Sequence, residues 1–134
     1  MFLYLIRATI EGTLFFPPIA IVAWPALIAS CIMRLSSERP FGHRELWLGL
    51  PLVFPALLIA FGTVFDLPHG HVPEDSWQER TILVVLGADL LTCGIIVWRL
   101  RDMRVIAALW LLFLCCLSVV AGFEACMCVT NRWL

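Results

Sequence analysis

Lysine is absent from this chain: all nine basic residues are arginine. Charge of either sign is scarce, at 14% of residues against 62% hydrophobic. A soluble domain of this length would carry about 25% charged residues. No arginine cluster forms a basic patch, which argues against nucleic acid as a partner, and the arginine-only usage reads as coding bias. Also missing are a glycine-rich nucleotide loop, a catalytic triad and a zinc-protease motif. None of the cysteines at 31, 93, 115, 116, 126 and 128 forms the two-residue-spaced pair that puts two thiols on one helical face. The apolar segments lack the period-2 alternation of a membrane barrel. These absences leave little room for an enzyme, and no cofactor is expected.

What is present is apolar and arranged in long blocks, with a mean hydropathy of +0.97. A 134-residue chain cannot hide that much apolar surface from water, so its solvent is lipid. Four blocks reach the length of about 20 residues needed to cross a bilayer. They are "GTLFFPPIAIVAWPALIASCIM", "LWLGLPLVFPALLIAFGTVF", "TILVVLGADLLTCGIIVW" and "VIAALWLLFLCCLSVVAGF". Backbone groups in hydrocarbon must be satisfied within the segment, so each block is expected to be a helix. The fold expected is an all-α integral membrane protein. Its single domain is a four-helix transmembrane bundle with helices near 8–33, 46–65, 81–98 and 105–125, the first two kinked by proline.

Charge orients the bundle. The link 34–45 carries Arg34, Arg39 and Arg44, and the link 99–104 carries Arg99, Arg101 and Arg104. Two spans separate these links, so they share a side. The opposite loop, 66–80, holds Asp66, Glu74, Asp75 and Glu79 against Arg80 alone. The positive-inside rule then predicts cytoplasmic arginine loops and both termini outside, in a cell membrane of the bacterial inner-membrane kind. Trp47 and Trp98 would mark the inner interface, Trp77 and Trp133 the outer. Trp24 and Trp110 fit neither belt and read as packing residues. The run ending "LIASC" has the look of a lipoprotein signal with Cys31 acylated. Acylation would place Arg34, Arg39 and Arg44 outside, against the charge rule, so a retained helix is expected.

Pro17, Pro18 and Pro25 interrupt the first block, Pro51 and Pro55 the second. Each proline removes an amide donor, which leaves the Thr13 and Leu14 carbonyls short of partners. Helices in lipid associate where small residues let backbones approach. Helix 4 offers Cys115, Ser118, Gly122 and Cys126 at spacings of three and four; helix 3 offers Gly87 and Gly94, and helix 1 Ala8 and Gly12. These rows are where helices should meet, within one chain or between copies.

Two sets of residues invite chemistry. His69, His71, Cys126 and Cys128 lie on the expected outer side and offer soft-metal ligands for copper(I) or zinc. Cys126 and Cys128 stand about 200° apart on a helix, so they chelate only if the chain there is extended. The alternative is that the cysteines serve as small apolar residues. The second set is acidic: Asp89, Glu11 and Glu124. Glu11 stands one turn from Arg7, an ion-pair spacing. Asp89 lies about 12 Å into helix 3, at about 1.5 Å per residue, level with Cys115–Ser118 and with Phe15–Pro17. It is expected either to hold helices together by donating to the freed Thr13 and Leu14 carbonyls, or to act as an ion or proton site.

The leading expectation is an oligomeric or accessory subunit of a larger membrane assembly, with the lipid bilayer and other chains as partners. The alternatives are a pore or proton-coupled transporter using Asp89, with Glu11 and Glu124 at its mouth, and an outer-face thiol redox or soft-metal protein.

Overall fold

The computed structural model describes residues 2–36, 43–65 and 77–130. Five α-helices follow in order: α1 (Phe2–Phe15), α2 (Pro17–Leu35), α3 (Val53–Val64), α4 (Trp77–Arg99) and α5 (Arg104–Thr130). A 3-10 stretch, His43–Leu52, leads into α3, and a 3-10 turn, Arg101–Met103, leads into α5. No strand occurs among the described residues. Among the described residues, four segments are long and apolar enough to cross a membrane: Pro17–Leu35, Leu46–Val64, Trp77–Arg99 and Arg101–Thr130.

The helix bounds differ from those read in the sequence. The first helix begins at Phe2 and is interrupted at Phe16, whose ψ of 113° is extended. Pro17 and Pro18 occupy the first positions of α2, where their missing N–H groups cost least. The helix expected at 81–98 starts four residues earlier, at Trp77. That shift puts Asp89 close to the middle of α4. The last helix runs on to Thr130.

Helix α5 is the axis of the bundle and touches α1, α2, α3 and α4. Its buried residues Ala107, Leu111, Leu114, Ser118, Ala121 and Ala125 recur at spacings of four and three, one stripe along the helix, and Val120 and Thr130 extend the buried surface beyond it toward the C-terminal end. Helices α1 and α2 run antiparallel to it: Thr9 bonds Glu124, while Ser30 and Arg34 share a cavity with Met103 and Ile106. Helix α4 is also antiparallel, with Leu86 against Gly122 and Cys93 against Cys115. The segment Leu46–Val64 runs parallel to α5, since Leu48 meets Trp110 and Gly62 meets Ala125. Two apolar clusters fill the seams. Leu5, Leu58, Ile59, Ile82, Ala121, Ala125 and Cys128 form one; Cys93, Ile96, Leu100, Ala107, Leu111 and Leu114 form the other.

Two tryptophans that fit no interfacial belt complete the backbone bonding. Pro18 cannot donate to the Leu14 carbonyl, and the Trp24 indole N–H donates there instead, at 2.7 Å. In 3-10 geometry the Leu48 carbonyl would take its hydrogen bond from residue 51, which is proline. The Trp110 indole N–H donates to that carbonyl at 3.2 Å. An indole N–H on an apolar ring suits this task, because it delivers one donor without bringing a charge into the bundle.

Arginines gather at one end. The Arg99 guanidinium lies over the Trp47 ring at 5.1 Å, and Arg101 lies 6.0 Å from the Trp98 ring. At the other end Trp77 packs edge-on against Phe61 and Phe65, at 6.1 and 5.3 Å.

Candidate functional site

The polar centre of the bundle is built where α4 crosses α5. Asp89 and Cys93 are four residues apart on α4, which stacks them on one face. Cys115 and Ser118 are three apart on α5 and share its facing side. The Cys93 Sγ lies 3.6 Å from Asp89 Oδ1, a thiol donating to a carboxylate oxygen. The Cys115 Sγ lies 3.6 Å from the Cys93 Sγ. The three ligand-type atoms of Asp89, Cys93 and Cys115 fall within 4.8 Å of one another. Asp89 is 1% exposed and Ser118 fully covered. The Ser118 hydroxyl is within electrostatic reach of the Asp89 carboxyl, yet makes no hydrogen bond of ordinary geometry. A buried hydroxyl without a partner costs about 1–3 kcal/mol, and the polar group beside it is the Asp89 carboxyl.

Asp89 does not reach the carbonyls opened by Pro17 and Pro18. Its partners come from α4 and α5, and Trp24 serves Leu14. The reason is topological: α4 packs on α5 and the Leu46–Val64 segment, away from α1 and α2.

The other two acids lie apart from this centre. Glu11 is exposed and pairs with Arg7 along α1, Nε to Oε1 at 2.7 Å. Glu124, half-buried on α5, accepts a hydrogen bond from Thr9 Oγ1 at 3.1 Å. It lines a groove of about 400 Å³ whose other walls include Tyr4, Ala8, Gly12 and Phe123. Among the described residues no hydrogen bond or ion pair links Asp89, Glu11 and Glu124 to one another.

The expected soft-metal set is not assembled from described residues. His69 and His71 lie outside them. Cys126 and Cys128 lie on the unbroken helix α5, so the extended chain that would put them on one side is absent. Cys128 is buried against Leu5, Leu58 and Ala125, and Cys126 packs at the edge of that cluster.

The small-residue rows divide. A Cβ on Gly122 would stand 3.0 Å from the end of Leu86, and one on Gly62 would stand 3.0 Å from the Ala125 backbone. One on Gly12 would come within 2.8 Å of Val120. Those on Gly87 and Gly94 would meet nothing within 4 Å. Among the described residues, no other helix closes on the latter two glycines.

Gly62 and Cys93 were not singled out by the spacing arguments. Cys93 carried a signal, its four-residue offset from Asp89, which a search for paired cysteines in sequence passes over. Gly62 carried none, since its importance lies in the Ala125 backbone opposite.

Taken together, the described residues form an all-helical fold with four segments of membrane-spanning length and composition around a small acid-and-thiol centre. No family model, no curated protein and no solved structure matches it.

Proposed function

We propose that the chain is a multi-pass subunit of a cell membrane, of the bacterial inner-membrane kind, that works by lateral association in a homo-oligomer or a larger membrane assembly. The observation that supports this reading is the unequal use of α4. One face closes on α5, while the other carries Gly87 and Gly94 with open space above them, beside exposed Leu83, Leu90, Leu91 and Ile95. Glycine in a lipid-facing row gains nothing from lipid, whereas it lets a second helix approach closely. Proline bends at Pro17–Pro18 and near Pro51 and Pro55 shape the bundle that carries this face. Both termini lie outside, on the charge rule.

Mass measurement in lipid nanodiscs tests the association. More than one copy, or a co-purifying chain, is expected. Gly94→Leu is expected to shift the distribution toward the single chain. A wild-type protein that stays a lone monomer at high loading overturns the reading. Orientation is tested separately: Ser36→Cys should be shielded from an impermeant thiol reagent in intact cells and Ser76→Cys should react.

The closure of Asp89 favours this structural role over a pore or proton-coupled transporter. Asp89→Asn is the discriminating variant, since asparagine keeps the hydrogen-bonding shape but cannot exchange a proton in this range. Unchanged assembly and function support the subunit reading. Intact assembly with abolished ion flux in liposomes would restore the transporter.

A further inference from the structure

We infer that Asp89, Cys93 and Cys115 form a metal site for a divalent cation of the zinc class, held between α4 and α5. The inference stands on the bundle's interior and does not require the lateral association proposed above.

The donor set comes first. Two sulfurs and one carboxylate oxygen converge within 4.8 Å. Zinc accepts this mixture, with three protein ligands in sites that keep a fourth position open. Magnesium and calcium take oxygen ligands and would not choose two thiolates.

Distance comes second. With bonds of about 2.3 Å to sulfur and about 2.1 Å to oxygen, a tetrahedral ion sets its sulfurs about 3.8 Å apart and sulfur and oxygen about 3.6 Å apart. The observed separations are 3.6 Å between Cys93 and Cys115 and 3.6 Å between Cys93 and Asp89. Two edges of the coordination polyhedron are thus already set to within a few tenths of an ångström. A disulfide needs its sulfurs at about 2.05 Å and has no use for a carboxylate against one of them.

Electrostatics comes third. Three acidic groups packed this closely in a low-dielectric interior repel one another once ionised, and buried charges persist only when paired or bound to a metal. A divalent cation offsets two of the three negative charges. Binding releases the two thiol protons to solvent, leaving two thiolates and a carboxylate on the ion.

Ser118 supplies the supporting shell. Its hydroxyl, buried beside the Asp89 carboxyl and without a hydrogen bond of ordinary geometry, would donate to that carboxylate once it holds the ion. Metal-bound carboxylates are commonly fixed in this way, and losing such a partner costs about 10- to 100-fold in affinity. With three protein donors, and Cys115 half-buried, the fourth position is left to a water or a small ligand.

The test uses the full chain in nanodiscs, reduced, stripped of metal and titrated with cobalt(II) and then zinc(II). One cobalt per chain is expected, with intense thiolate-to-cobalt absorption in the near ultraviolet, visible bands of tetrahedral intensity, and displacement by zinc. Cys93→Ser and Cys115→Ser should each abolish the thiolate bands or weaken binding at least about tenfold, and Asp89→Asn should weaken it by a similar factor. Cys31→Ser combined with Cys126→Ser and Cys128→Ser should leave the spectrum unchanged. This combination keeps the test decisive if a core variant fails to fold. The inference is overturned if the wild-type chain shows no thiolate-to-cobalt band, or if the band vanishes in the Cys31/Cys126/Cys128 variant. It is equally overturned if mass analysis of the protein as isolated finds Cys93 and Cys115 joined by loss of two hydrogens.

Discussion

Helices α4 and α5 lie side by side, carry the same kinds of residue, and use them in opposite ways. Helix α5 meets every other helix, and its glycine at 122 faces a neighbour's side chain. Helix α4 meets α5 along one face, and its glycines at 87 and 94 face open space. The difference teaches that a small residue in an apolar helix has no fixed meaning. It marks close packing only where another helix lies across from it, and otherwise marks a face on which one could be laid.

Substitutions can break or sharpen this contrast. The largest effect is expected at Gly62, because the atom opposite is the Ala125 backbone at 3.0 Å, which cannot swing aside. Gly62→Leu should cost toward the upper end of roughly 1–3 kcal/mol. It should be read as a lowered thermal midpoint and a loss of monodisperse protein in detergent. Gly122→Leu should cost less, toward the lower end of roughly 1–3 kcal/mol, because the Leu86 side chain can give way. A thermal midpoint equal to that of wild type would erase the distinction between the two helices.

Trp24→Phe comes next. It keeps most of the ring but withdraws the N–H from the Leu14 carbonyl, a loss of about 1 kcal/mol. Trp110→Phe should lose somewhat less, since its bond to Leu48 is longer, at 3.2 against 2.7 Å. Hydrogen exchange confined to residues near 14–20 in the Trp24 variant would tie the effect to the interruption of the first helix. A uniform change across the chain would break that link.

The smallest effect on the single chain is expected at Gly94. With nothing within 4 Å of a Cβ, Gly94→Leu should change monomer stability by no more than roughly 0.5 kcal/mol. Its signature belongs in the oligomer distribution instead. If it destabilises the isolated chain as much as Gly122→Leu does, α4 is closed on both sides and the comparison fails.

The helical class and the number of long apolar segments were legible because each is a property of runs: composition, length, and the requirement that backbone bonds be made locally. Helix ends were less legible. The start at Trp77 carried a signal that a reading by apolar blocks passes over, the Ser-x-x-Glu spacing of "SWQE" with Glu79 in the first turn, and the interruption at Phe16 depends on which of two adjacent prolines starts the next helix. The acids show the limit most clearly. Counting depth could place Cys115–Ser118 and Phe15–Pro17 at the level of Asp89, but depth does not say which neighbour is adjacent. Trp24 and Trp110 were set aside as packing, although each serves a carbonyl that a proline left open.

By itself, then, the sequence determined that this chain is helical, apolar enough for lipid, and charged asymmetrically between its loops. These follow from local periodicity and from the cost of unpaired backbone in hydrocarbon. Tertiary structure alone decided that α5 would be the axis, that Gly62 would meet Ala125 while Gly94 met nothing, and that Cys93 on one helix would meet Cys115 on another beside Asp89. The physical reason is that helical periodicity states which residues share a face. What lies across from that face is settled by packing between segments distant in the chain.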